Sequence, residues 1–181
     1  MKRSATVLPA LLVLALCSPR AMGAEQPRRI LDAFVGTWQE EITVRPCEFV
    51  KEGATMEGAK TIGWILGGRV LQSSSQGRPG RPPSIFLASR DPGQEAYRGW
   101  FSNLYGVVTH YVGRWNAAKK RMEWTSVKVK DGSRVKVYWQ VEGKDRHTWS
   151  AVVKSKDGKV LLDMFGTATR AKPPRKKIEE P

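Results

Sequence analysis

The chain has 181 residues, 27% of them charged, and a formal net charge of +14. Such a length suits one domain with a core of its own. The two histidines and two cysteines show no zinc-ligand spacing, while the basic excess favours anionic partners.

Lys2 and Arg3 precede an apolar run from Val7 to Cys17, and small residues follow up to Ala24. A basic start, a short apolar stretch and a small-residue end describe a secretory signal peptide. The run is too short to cross a bilayer as a helix, which takes about 20 residues. Residues 1–24 are therefore expected to be removed after Ala24, or after Gly23, and the protein to be periplasmic or secreted. Cys17 offers a lipoprotein reading, but Leu16 is bulky where such processing takes a small residue. Lys2, Arg3 and Arg20 leave with the peptide, taking +14 to +11, and Cys47 remains as a lone thiol. No intramolecular disulfide is then possible. Export argues against nucleic acid and favours anionic lipid or wall polymer, with solubility alone as the plainer account. The mature chain carries no transmembrane segment.

After the leader, Arg28 to Phe34 suits one helical turn through Ile30, Leu31 and Phe34. A strand opens at Gly36-Thr37-Trp38 and runs to Val44, with Trp38, Glu40, Ile42 and Val44 on one face. From Ile62 to Ser73 two apolar runs flank Gly67-Gly68, a pair that supplies positive φ in a two-residue hairpin turn. That turn would set Leu66 opposite Arg69, Ile65 opposite Val70 and Trp64 opposite Leu71. The stretch 77–83 holds three prolines and two glycines and reads as a loop. Further strands are expected at Ser84–Arg90, Ala96–Asn103, Val107–Trp115, Arg121–Lys130, Arg134–Glu142, Arg146–Lys154 and Val160–Thr169. Short turns such as Asp131-Gly132 and Asp157-Gly158 join them.

About ten short strands with hairpin-length connections make an all-β antiparallel meander. A sheet that long tends to close, since closure removes its bare edges. The expected fold is one closed up-and-down barrel over residues 25–170, with a two-sheet sandwich as alternative. Residues 171–181, rich in Lys and Pro, read as a disordered basic tail.

Gly36-Thr37-Trp38 on the first strand, with Arg170 ending the last, resembles the signature of calycins, the superfamily of lipocalins and fatty-acid-binding proteins. The resemblance implies that Arg170 packs across Trp38 and closes the barrel. Together with Trp64-Ile-Leu-Gly-Gly-Arg69, Tyr97-Arg-Gly-Trp100 and Gly166-Thr-Ala-Thr-Arg170, these residues resemble a bacterial domain-of-unknown-function family with a lipocalin-like barrel. It covers about Ile30 to Arg170 and implies a fold but no reaction. Ser89-Arg90-Asp91 departs from the Gly-Tyr-Asp-like turn of that family.

Candidate site residues are few. No nucleophile elbow follows a strand and no glycine-rich loop opens a helix, so no catalytic residue is assigned. Trp64, Leu66 and Leu71 are expected on the wall of an apolar pocket, with Arg69 at its rim to meet an anionic head group. Glu40, on the Trp38 face, needs a partner, and Arg170 or Arg69 would supply one. The resulting ion pair is structural or orients a ligand. His147 shares parity with Trp149, Ala151 and Val153. Nitrobindin-type haem barrels, which the chain distantly resembles, use one such histidine on iron, so haem through His147 is the cofactor alternative to none. Lys128, Lys130, Arg134 and Lys136 flank Asp131-Gly132 as an outward basic patch, either an anionic-surface site or a solvated face. The leading expectation is an exported, non-catalytic barrel that holds a small apolar or amphipathic molecule. An envelope adaptor acting through the basic hairpin is the second.

Overall fold

The computed structural model of the protein describes residues 30–78, 81–127, 129 and 131–172. The leader expected at 1–24 lies outside them, as does the tail beyond Lys172. A helical turn at 30–34 leads into ten strands: β1 (Gly36–Val44), β2 (Ala54–Ile65), β3 (Val70–Ser75), β4 (Ser84–Asp91), β5 (Ala96–Asn103), β6 (Val108–Asn116), β7 (Arg121–Ser126), β8 (Arg134–Val141), β9 (Arg146–Lys154) and β10 (Val160–Arg170). Each strand pairs antiparallel with the next, and β10 returns to β1 from Trp38–Arg170 to Val44–Met164. The sheet therefore closes as a barrel, and the sandwich alternative falls. Among the described residues no helix is long and apolar enough to cross a membrane.

Period-two alternation decides which side chains fill the barrel. Trp38, Glu40, Ile42 and Val44 of β1 are buried, and Gln39 and Glu41 between them are exposed. Met122 and Trp124 of β7 and Leu71 of β3 continue the inner face. Strand β7 stops at Ser126, four residues short of the expected end. The Ser126 hydroxyl accepts the Val135 amide at 2.9 Å, so a side chain replaces the next ladder bond and the hairpin opens.

The β2–β3 turn differs from the two-residue form. The ladder ends at Ile65–Val70, and Leu66, Gly67 and Gly68 take φ of 49, 64 and 77° in succession. The amides of Gly68 and Arg69 both donate to the Ile65 carbonyl, at 3.0 and 3.2 Å. Three left-handed residues wind a four-residue tip, and Leu66 is 72% exposed on it.

Strand direction gives the barrel two unlike ends. At one, Leu31 and Phe34 are fully buried and pack against Trp38 and its neighbours. The Trp38 indole donates to the Phe34 carbonyl at 2.8 Å, and the Trp64 indole donates to Asp32 at 2.6 Å. The Arg170 guanidinium lies over the Trp38 ring at 4.4 Å, as in a calycin closure. It donates to the carbonyls of Val35 (3.0 Å) and Lys144 (2.7 Å) and to Asp145 (3.1 Å), with no bond to Glu40. This end is closed. At the other lie the connections from β1 to β2, β3 to β4, β5 to β6, β7 to β8 and β9 to β10.

Arg170→Ala should destabilise by about 2–3 kcal/mol, through lost packing on Trp38 and unpaired carbonyls. Urea unfolding at pH 7 measures it, and a change under 0.5 kcal/mol would show that the closed end does not depend on this residue.

Candidate functional site

Halfway along the barrel the inner wall turns polar. Glu40 is 2% exposed and Lys60, from the neighbouring β2, is 7% exposed. Glu40 Oε1 accepts from Lys60 Nζ at 2.7 Å and from the Trp149 indole at 2.8 Å. Its Oε2 accepts from Arg81 at 2.8 Å, and Arg81 also donates to the Ser75 hydroxyl at 3.0 Å. Arg81 belongs to no strand: it lies between β3 and β4, and its guanidinium reaches inward to Glu40. Two glycines make the room. A Cβ on Gly58 would collide with the Arg81 guanidinium, and one on Gly166 would meet the Trp149 indole at 2.6 Å.

The electrostatics are those of a carboxylate with two cations. Burial strips water from Glu40 and would raise its pKa, but Lys60 and then Arg81 override this and hold it below its ordinary value. Lys60 is lowered, chiefly by burial, with Glu40 opposing and Arg81 assisting. Counting charged forms, the group carries one net positive charge where little water reaches.

Beside this cluster the lining becomes apolar and loosens. Ala151 and Val153 of β9 and Leu162 and Met164 of β10 face inward by parity, yet they are only half-buried. At the closed end the inward residues Trp38, Leu71, Ala88 and Trp124 are sealed. Ile42 and Val44 of β1, level with those half-buried residues, stay sealed, so the inner lining loosens only along β9 and β10, beside the Glu40 cluster. Among the described residues no group of three His, Cys, Asp or Glu is placed to hold a metal ion.

Residues 24–170 match the family model described as protein of unknown function (DUF1579). The chain belongs to the DUF1579 family. Among curated proteins none matches the sequence. Among solved structures, the DUF1579 barrel is similar to the S-type phycobiliprotein lyase CPES from Guillardia theta, at TM-score 0.57 and 11% identity over 81% of this chain and 93% of that one. It is similar to Rv2717c from M. tuberculosis at TM-score 0.56 and 10% identity, over 79% and 98% of the two chains. A DUF3598 protein of unknown function from Nostoc punctiforme also matches, at 0.56 and 10%, over 78% of this chain and about half of its own (48%). At these identities the shared property is the calycin-like barrel fold.

The DUF1579 barrel redistributes the residues expected to form a pocket. Trp64 is half-buried and Leu71 is sealed, both at the closed end, while Leu66 and Arg69 stand on the exposed turn outside it. None of the four lies at the opposite end. Parity placed Trp64 and Leu71 inside, but the 30–34 turn covers that end. Glu40 is inside, with Lys60 and Arg81 as partners instead of Arg170 or Arg69. Arg134 and Lys136 are exposed on β8; Lys128 and Lys130 lie outside the described residues.

His147 is 2% exposed, with ring centroids 4.3 Å from Trp38 and 5.5 Å from Phe34, both edge-on. A porphyrin could reach it only by displacing those rings, so the residues present do not fit haem. Burial, reinforced by Lys60, lowers its pKa to about 3. Its Nδ1 has no hydrogen-bond partner. A separate hollow of about 280 Å³ lies on the outer wall, between Arg45 over Phe165 and Arg121 over Tyr138. Its two arginines are already paired, with Asp163 and Glu123. Lys60 had a signal in the sequence, since it shares parity with Ile62 and Trp64. Arg81, inside a Pro-Gly loop, had none.

Proposed function

We propose that this DUF1579 protein is an exported, non-catalytic barrel that binds a small amphipathic anion along the loosened β9–β10 side of its interior. The carboxylate or phosphate head points to Lys60 and Arg81, and the apolar tail runs along Ala151, Val153, Leu162 and Met164. The observation that carries this is the Glu40–Lys60–Arg81 cluster, two cations on one buried carboxylate beside the half-buried apolar residues of β9 and β10. Ligand sites are mostly apolar with a few convergent polar groups, and a charged pair desolvated this way favours a second anion. Export rests on the basic, apolar and small-residue order of residues 1–24. The likeness to a phycobiliprotein lyase adds that barrels of this shape occur in proteins that handle a partner molecule.

Titration of the mature protein with a long-chain fatty acid, followed by tryptophan fluorescence, tests it, because Trp149 reports from beside Glu40. Saturating quenching is expected. Arg81→Gln should weaken it by about tenfold, the worth of one charge-assisted hydrogen bond, and the methyl ester should bind more weakly than the acid. Absence of saturable binding, or equal affinity for acid and ester, would overturn the proposal.

A further inference from the structure

The end of the barrel away from the 30–34 turn carries most of the exposed apolar surface. Leu104, Tyr105 and Val108 are 70, 76 and 62% exposed, Val107 and Val127 stand out beside them, and Phe49 is exposed elsewhere on the same end. At the closed end the exposed counterparts are Ile65 and Leu66 alone among the described residues. Apolar patches rimmed by polar residues mark contact surfaces.

The backbone of this patch is built for an apolar setting. Asn103 closes the 104–107 turn through its side chain, taking the amides of Tyr105 at 3.1 Å and Val107 at 3.2 Å. The Gly106 amide donates to the Asn103 carbonyl and the Leu104 amide to the Pro83 carbonyl. Four consecutive donors are thus satisfied inside the protein, which an apolar medium demands. The turn can leave water without exposing a bare amide.

Beside the apolar rim lies a set of cations without acids. Arg134 and Lys154 sit directly opposite each other on β8 and β9, a like-charge pairing that costs stability in a ladder. Lys136 is one exposed position along β8, and Lys156 lies against Gly132 at the tip of the neighbouring hairpin. None of these four has an ion-pair partner among the described residues. Other rim charges do: Glu48 holds Lys51 at 3.0 Å and Lys159 at 2.6 Å, and Arg45 holds Asp163. Asp131 is engaged by the Ser133 amide in its own turn.

We propose that this end of the barrel docks on an anionic phospholipid bilayer, with Leu104, Tyr105 and Val107 entering the interface and Arg134, Lys136, Lys154 and Lys156 on the head groups. Apolar side chains beside unpaired cations are the combination that interfacial binding uses. Docking itself stands on the rim and is independent of the ligand reading.

Flotation of the mature protein with vesicles of phosphatidylcholine plus phosphatidylglycerol, and with phosphatidylcholine alone, tests the proposal without any ligand. Binding is expected to the anionic vesicles only, and to weaken as salt rises. Neutralising Arg134, Lys136 and Lys154 to Gln should lower affinity about a hundredfold. Leu104→Asp with Tyr105→Asp should lower it at least about tenfold at an unchanged melting temperature. Arg81→Gln, which tests the ligand site, should float as wild type does. No flotation at low salt, or wild-type flotation by the Asp variant, would overturn it. A dimer in sedimentation that the Asp variant dissociates would assign the rim to a second copy instead.

Discussion

Between pH 6.5 and 4.5 the protein should lose roughly 2–3 kcal/mol of stability, close to 1.4 kcal/mol per pH unit, because of His147. Its folded pKa is lowered to about 3 from 6.5, first by burial and then by Lys60, with Glu40 opposing and Arg170 assisting. In this window the unfolded chain takes up a proton that the folded barrel refuses, so protonation pulls toward the unfolded state. The loss continues down to about pH 3 and then stops. Carboxylates do not share the upper part of the window. Glu40, held below its ordinary 4.5, contributes stability above that pH and loses it only as pH falls through the lower folded value. Urea midpoints from pH 7 to 4.5 measure the slope. His147→Leu, close in volume, should fold at pH 7 and flatten the slope; an unchanged slope in that variant would assign the acid loss elsewhere.

Glu40→Leu should cost about 3–5 kcal/mol at pH 7, because it leaves a buried cation without its counterion. The two cations differ in their escape. The Arg81 side chain is 15% exposed on a surface loop and can turn to solvent, whereas Lys60, at 8%, is walled in by β1 and β2. Lys60 responds by giving up its proton more easily, in the direction burial already pushes it. Adding Lys60→Met to Glu40→Leu should therefore recover most of the loss, since a well-packed apolar pair is often as stable as the buried ion pair it replaces. Denaturant unfolding of the single and double variants decides. A single variant within about 1 kcal/mol of wild type would mean that the cluster is hydrated and weakly coupled.

The strands were legible because their signals are local. Alternation over β8, from Arg134 to Val141, and the turn residues around it need no distant partner to be read. The end of β7 was misjudged because alternation through Val127 and Val129 continues past the point where Ser126 takes over the ladder. The Gly67-Gly68 turn was correct in register, Trp64 opposite Leu71, and too short, because Leu66 also enters the left-handed region.

By itself the sequence determined the meander and the inner face of β1, since parity and strand count survive any detail of packing, and the calycin resemblance implied the contact of Arg170 with Trp38. Only the tertiary structure decided which end of the barrel is capped. That depends on where the 30–34 turn folds, and alternation carries no information along the barrel axis. The same holds for Glu40. Its partners Lys60 and Arg81 lie 20 and 41 positions away, and Trp149 lies 109 away. Lys60 arrives on the adjacent β2 and Arg81 from the β3–β4 connection, Trp149 only because β10 closes on β1, and two glycines leave the space for Arg81 and Trp149.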